Sequence, residues 1–232
     1  MNDLIQGVIQ AFQLIFSFEP NLYEIIGLSL YIAGVSLFFS MLVGIPIGAF
    51  LGLTRFPGRR LVMAMLYTGM GFPPVVIGLF VYLMFSRSGP LGQLGWLFTP
   101  RAMSVAQMII SFPLVAGFTM AAVMGVNPNL RQQLRALGAT DWQTTVAILL
   151  EARVGVIVSL AAGFGAVISE VGAVMLTGGN IAGKTRTLTS AIILETQKGN
   201  FDLAIALGII LLLLSFFTNL AMTRLQGRDI NR

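Results

Sequence analysis

The sequence contains neither cysteine nor histidine. Disulfides, zinc and haem sites built from Cys or His, and His-based acid–base catalysis are therefore excluded. Charge is also scarce, because only 10% of the 232 residues are Asp, Glu, Lys or Arg, against about 25% in ordinary soluble domains. The basic residues are scattered along the chain, so we expect no nucleic-acid-binding surface.

Apolar residues are abundant instead. They make up 56% of the chain, and the mean hydropathy is +0.87. This composition cannot form a soluble surface, so it predicts an all-α membrane protein. Each of five apolar stretches is close to or above the ~20 residues that cross a bilayer. The five predicted transmembrane helices cover Tyr23–Leu53, Leu61–Phe85, Ala102–Val126, Ala152–Leu176 and Leu203–Leu225.

The first 20 residues have a different pattern. Leu4, Ile5, Val8, Ile9 and Phe12 recur at helical spacing, with amide and acidic side chains on the other side. This pattern predicts an amphipathic helix that lies in the membrane interface. The remainder, residues 21–232, is then one transmembrane domain, with Asn21 as the predicted cap of its first helix.

The basic residues beside the predicted spans indicate the orientation of the chain. Nine of the 14 lie on one side, in the loops after the first and third spans and after the last. By the positive-inside rule that side is cytoplasmic. We therefore expect the N-terminus outside and the C-terminus in the cytoplasm of a prokaryotic cell.

The longest polar stretch on the cytoplasmic side is 127–151. Leu130, Leu134 and Leu137 predict a short helix that ends at Gly138, and Asp141 is the predicted cap of a second helix. Two interpretations are open. The pair is either an ordinary loop helix on the membrane surface or a helix–turn–helix knob that fits a groove on a cytosolic protein.

Residues 137–144 followed by 148–150 resemble the coupling motif of ABC importer permeases. Gly138, Ile148 and Leu150 stand at matching positions. Residues 132–134 depart from the Glu-Ala-Ala of that motif, and Glu151 replaces its proline. The resemblance implies contact with a cytosolic ABC ATPase, and it assigns this coupling role to Arg135, Leu137, Gly138, Ala139, Thr140, Asp141, Trp142, Ile148 and Leu150.

Three further segments are similar to molybdate and tungstate permeases: 71–79, 168–175 and 179–185. Residues 191–201 look most like the tungstate branch. The resemblance implies the small type I ABC importer fold, an external solute-binding protein, and ATPase subunits that bind ATP and Mg. This chain would then need no cofactor and would not be an enzyme. One subunit is too small to enclose a pathway, so we expect a homodimer in the lipid bilayer.

Two features inside the spans are candidates for a transport pathway or gate. Pro73 and Pro74 interrupt the second span, and such breaks either line a cavity or simply kink the helix. The resemblance favours the cavity for residues 71–74, that is Gly71, Phe72, Pro73 and Pro74. Glu170, between Ser169 and Gly172, is the one carboxylate deep in a span. We expect it to gate or pack helices rather than to bind an anion.

Residues 178–185 match the P-loop pattern letter for letter. A P-loop needs a preceding strand, whereas a predicted span precedes this segment, so we reject nucleotide binding. The same external loop, with Asn180, Lys184 and Thr185, has backbone N–H groups suited to an anion. The alternative is a solvated turn that contacts the substrate-delivery protein.

Other functions remain open at this point. The chain could serve a permease for sulfate, phosphate or methionine, or a secondary carrier without an ATPase. An intramembrane enzyme would need paired catalytic groups in the spans, and the sequence shows no such pair.

Overall fold

A computed structural model describes residues 2–17 and 19–226 of the chain. Helices account for most of these residues. A short 3-10 turn at Gly92–Leu94 is the exception among the regular elements in the described part. The helices are α1 (Asn2–Phe16), α2 (Pro20–Leu53), α3 (Arg59–Met70), α4 (Pro74–Phe85), α5 (Pro100–Met124), α6 (Pro128–Ala136), α7 (Asp141–Glu151), α8 (Arg153–Ile168), α9 (Gly172–Gly178), α10 (Leu188–Gln197) and α11 (Phe201–Gln226).

Three of these helices, α2, α5 and α11, are each long and apolar enough to cross a membrane. Two bent pairs raise the number of candidate spans to five when each pair counts as one. The all-helical fold therefore agrees with the five predicted stretches. One detail was wrong: α2 begins at Pro20, so Asn21 lies inside the helix and does not cap it.

The α2–α5 pair forms the centre of the fold. Gly44, Gly48 and Gly52 recur every four residues on α2 and face α5, so the two backbones approach closely. Serine hydroxyls bond across the same seam. The Ser36 hydroxyl donates to the Ser104 carbonyl at 3.0 Å, and the Ser40 hydroxyl lies 2.7 Å from that of Ser111. Both helices are therefore held by packing and by buried hydrogen bonds.

We expect Gly48→Ala to destabilise the protein. A Cβ at this position would lie 2.4 Å from the Ala116 carbonyl oxygen and 2.9 Å from Thr119 Cβ. Because the obstacle is backbone, the helices must separate, at a cost of about 1–3 kcal/mol. Thermal unfolding in detergent measures the effect. Gly34→Ala on the same helix is the control, because nothing lies within 4 Å of a Cβ there. An equal loss of stability in both variants would contradict this account of the seam.

The second predicted span is not one helix. Its two parts, α3 and α4, are bent by 97° at residues 71–73. Pro74 begins α4, and Pro73 precedes it with an extended backbone, because proline provides no N–H and disfavours the α region for the residue before it. The break is thus much sharper than the kink expected from the sequence.

The fourth predicted span, Ala152–Leu176, is also broken. Helix α8 ends at Ile168, and α9 begins at Gly172. At the other end, α7 and α8 are bent by 67° next to Ala152. The bent pair that counts as a candidate span, Asp141–Glu151 with Arg153–Ile168, is thus shifted from the predicted stretch.

The N-terminal helix α1 packs along α11. Ala11 is fully buried, and a Cβ at Gly7 would lie 2.6 Å from Ile205 Cγ2. The Tyr23 hydroxyl donates to the Ile15 carbonyl at 2.8 Å, which links α1 to the start of α2. The amphipathic helix is confirmed as a helix; its position in the membrane interface stays a prediction.

Candidate pathway and coupling surface

The two helix breaks meet at one cleft of about 460 Å³. One wall comes from the α3–α4 break, the opposite wall from the α8–α9 break, and α5 closes the back. The lining residues are Gly69, Met70, Gly71, Phe72, Pro74, Ile110, Leu114, Ala166, Ser169, Glu170 and Val171. Five of the seven predicted pathway residues therefore lie together. Pro73 and Gly172 do not line the cleft.

Pro73 and Gly172 instead shape its walls. Pro73 precedes the first turn of α4. Gly172 begins α9 and faces α4, because a Cβ there would lie 2.5 Å from Val75 Cγ2. Gly78 in turn faces α9, because a Cβ built on it would lie 2.5 Å from the Ala173 Cα. Helices α4 and α9, which follow the two breaks in the chain, thus pack tightly against each other.

Glu170 is buried, and its carboxylate caps α9. Its Oε1 accepts from the Ala173 N–H at 2.9 Å, and its Oε2 accepts from the Val174 N–H at 3.2 Å. These N–H groups belong to the first turn of the helix, which has no internal acceptors for them. The geometry therefore shows a cap of α9; the expected roles in gating and in packing between helices both stay predictions.

Two residues around this break were missed from the sequence. The Gln107 amide in α5 donates to the Val167 carbonyl, and the Thr189 hydroxyl in α10 donates to the Glu170 carbonyl. Gln107 offered a signal, because a glutamine in the middle of an apolar span is costly unless it has a partner. Thr189 offered none, because its partner is set by the fold of the external loop.

The predicted coupling loop forms the two short helices α6 and α7. The turn between them passes through Gly138, whose φ is +84°, in the left-handed region that favours glycine. Leu137 and Trp142 beside the turn are 84% and 75% exposed, whereas Ile148 is buried against α2 and α5 residues. The pair therefore projects an apolar tip and anchors its base in the bundle.

The cap of α7 differs from the prediction. Thr140, not Asp141, is the N-cap; its hydroxyl accepts from the Gln143 N–H, and the Gln143 side chain accepts from the Thr140 N–H. This reciprocal pair is a capping box. Asp141 is the first helical residue, and its carboxylate forms an ion pair with Arg135. This solvent-exposed ion pair joins α6 to α7 across the turn between them.

Two arginines, one in α6 and one at the start of α3, bond to the C-terminal end of α2. Arg131 Nη1 in α6 donates to the Leu53 carbonyl at 2.7 Å, and Arg59 Nε donates to the Leu51 carbonyl at 2.8 Å. Cations at a helix C-terminus are favourable because they meet its free carbonyls. A direct hydrogen bond therefore links α6 to the end of α2, the longest helix.

The loop at 179–187, which was predicted to be external, forms hydrogen bonds within itself. The backbone N–H groups of Lys184, Thr185 and Arg186 all point at the Ile181 carbonyl. The buried Thr185 hydroxyl donates to the Gly178 carbonyl at 2.6 Å and accepts from the Ile181 N–H. These four N–H groups are therefore not free for an anion, and an anion-binding role of the loop stays a prediction. The residues before the loop form α9 rather than a strand, so the P-loop requirement is not met.

Asn180 joins this loop to α10. Its side-chain oxygen accepts from Arg186 Nε at 3.2 Å and from the Ser190 hydroxyl at 3.0 Å. Helix α10 itself follows at Leu188–Gln197. At its other end, hydrogen bonds from Lys198 and Asn200 lower the pKa of the Glu195 carboxyl. Both ends of α10 are thus fixed by polar contacts.

Known proteins match over nearly the whole chain. The family described as "Binding-protein-dependent transport system inner membrane component" matches residues 44–228. A "Probable anion ABC transporter permease protein" of Haloferax volcanii is 41% identical over 216 residues, which are 91% of this chain and 93% of that protein. The "Tungstate uptake system permease protein TupB" of Peptoclostridium acidaminophilum is 37% identical over 226 residues, 97% and 99% of the two chains.

Solved structures share the architecture. In the inward-facing MetNI methionine ABC transporter, a chain superposes with a TM-score of 0.74 at 21% identity, covering 90% of this chain and 96% of that chain. The all-helical fold of this chain is therefore that of type I ABC importer permeases.

Proposed function

This chain belongs to the family of binding-protein-dependent transport system inner membrane components, and on that premise we propose that it is the permease subunit of an ATP-driven oxyanion importer. Members of this family are transport components of the membrane, so the chain moves a solute and catalyses no reaction itself. The solute we propose is tungstate, with molybdate as the near alternative. Relatives whose names state a substrate support this choice, since they include tungstate and molybdenum permeases.

The observation that carries the proposal is the meeting of two helix breaks at one cleft. Broken helices at membrane depth are tolerated where they line a pathway. The single carboxylate of the cleft, Glu170, has both oxygens engaged by N–H groups of α9. Its charge is thereby partly compensated. The carboxylate therefore does not bind an oxyanion, and it repels a passing oxyanion less than a free carboxylate would.

A second copy of the chain would complete the pathway. The α3–α4 side of the cleft exposes apolar side chains at its break, among them Phe72, Val75 and Val76. In a homodimer these surfaces would face the partner or the central pore. The N-terminus would lie outside and the C-terminus in the cytoplasm, as the distribution of arginines indicates.

Coupling to ATP would run through α6 and α7. The exposed tip around Leu137 and Trp142 fits a groove on a cytosolic ATPase subunit, which binds ATP and Mg. When the ATPase pair closes, the tip moves, and Arg131 carries that movement to the end of α2. An external solute-binding protein delivers the oxyanion when the bundle opens outwards.

Uptake by the complete transporter in proteoliposomes tests the proposal. We expect tungstate uptake that requires ATP and the binding protein, and that excess molybdate inhibits more strongly than sulfate, phosphate or methionine. Accumulation of methionine or phosphate without tungstate would identify a different solute. Uptake by the chain without an ATPase would identify a secondary carrier and contradict the proposed mechanism.

A further inference from the structure

The break between α8 and α9 leaves backbone carbonyls that a continuous helix would satisfy. In such a helix the Val167 carbonyl would accept from residue 171. Here it accepts from the Gln107 side-chain amide at 3.2 Å and from the Glu170 N–H at 3.3 Å. The Glu170 carbonyl accepts from the Thr189 hydroxyl at 3.0 Å. Side chains from α5 and α10 therefore take over hydrogen bonds that the broken helix has lost.

We infer that Gln107 and Thr189 are positioning residues that hold this break in its open form along the transport pathway. The inference rests on the proposed function, because it concerns the same cleft. Neither residue lines that cleft. Both act through the backbone on which Ser169 and Glu170 are carried.

Burial makes these two hydrogen bonds consequential. Gln107 is 4% exposed and Thr189 is 6% exposed. Removing the Thr189 hydroxyl takes away the bond to the buried Glu170 carbonyl, and removing the Gln107 amide leaves the Val167 carbonyl with the longer bond from the Glu170 N–H; losing a buried hydrogen bond is costly. The Gln107 amide oxygen has no hydrogen-bond partner among the described residues. Donation to Val167 is therefore the bond that places its side chain.

Thr189 also connects the break to the outer surface. The N-terminal end of α10 is attached to α2, because the Leu188 N–H donates to the Ser29 hydroxyl at 2.9 Å. Its other end, at 196–200, is exposed. A helix of this length is rigid, so displacement of its exposed end shifts the Glu170 carbonyl. Contact on the outside would thus reach the pathway without passing through the cytoplasmic helices.

The absence of cysteine allows a direct test. Ser169→Cys introduces a single thiol in the exposed wall of the cleft, and its labelling by a small maleimide in membranes reports the state of the break. In this background we expect Thr189→Val and Gln107→Met to slow labelling about tenfold, the effect of one lost buried hydrogen bond. Without these side-chain donors, closing the break into a continuous helix is favoured, because the carbonyls then regain N–H partners. Thr189→Ser, which keeps the hydroxyl, should restore the parental rate.

Matched controls separate positioning from general damage. Thr196→Val removes a hydroxyl from the exposed end of α10 that bonds only within its own helix, and Gln197→Met replaces an exposed glutamine. Both should label at the parental rate. Unchanged labelling in Thr189→Val and Gln107→Met, or no rescue by Thr189→Ser, would overturn the inference. Labelling does not require transport, so absence of oxyanion uptake in the parent would count against the proposed function alone.

Discussion

Replacing Gly138 by proline is expected to abolish ATP-driven transport while the membrane bundle stays folded. Proline fixes φ near −65°, whereas Gly138 has a φ of +84°. It also removes the N–H that donates to the Arg135 carbonyl at 3.0 Å. A conflict of about 3 kcal/mol or more at this turn would reduce the properly formed α6–α7 pair about 100-fold. Co-purification of the ATPase and ATP-dependent uptake measure the loss.

The backbone conformation, rather than space, causes this effect. Nothing lies within 4 Å of a Cβ built on Gly138. Gly138→Asn is therefore the control, because asparagine adopts the left-handed region more readily than other residues with side chains. It should keep most of the uptake, and Gly138→Ala should lie between the two. Full ATPase binding and uptake by Gly138→Pro would refute the docking role of this loop.

The coupling loop shows how much of a site the sequence can predict. The leucine spacing predicted the first short helix, Gly138 predicted its end, and Asp141 predicted the second helix, because these are local properties of the chain. The choice between Asp141 and Thr140 as cap was wrong because both residue types cap helices well. The Gln143 side chain, which completes the box with Thr140, decides between them, and it stands at the expected third position in the sequence.

The pathway shows where prediction from the sequence ends. The Pro73–Pro74 pair marked one break, but a proline indicates a change of direction and not its 97° size. The second break, at 169–171, has no proline, and its apolar flanks predicted a continuous span. Only the tertiary structure brings the two breaks together, because α4 packs against α9 at Gly78 and Gly172, which are 94 positions apart.

Glu170→Gln is expected to reduce both transport and thermal stability. The carboxylate accepts two N–H bonds, from Ala173 and Val174. A glutamine side chain has one acceptor oxygen, so its NH₂ group must face one of these donors. Loss of one buried, charge-assisted hydrogen bond costs about 1.5–3 kcal/mol, which corresponds to roughly a 10- to 100-fold reduction in the correctly formed break. ATP-dependent uptake and the melting temperature of the purified permease measure the two effects.

The two readouts distinguish capping from gating. If Glu170 caps α9, uptake and melting temperature fall together, and binding of the ATPase to the distant α6–α7 tip is unchanged. If Glu170 only gates the pathway, uptake falls and the melting temperature stays at the parental value. Glu19→Gln is the matched control, because Glu19 is exposed and makes no side-chain cap bond at the start of α2. Parental uptake and stability in Glu170→Gln would exclude both roles, because the two N–H groups of α9 would then need no carboxylate.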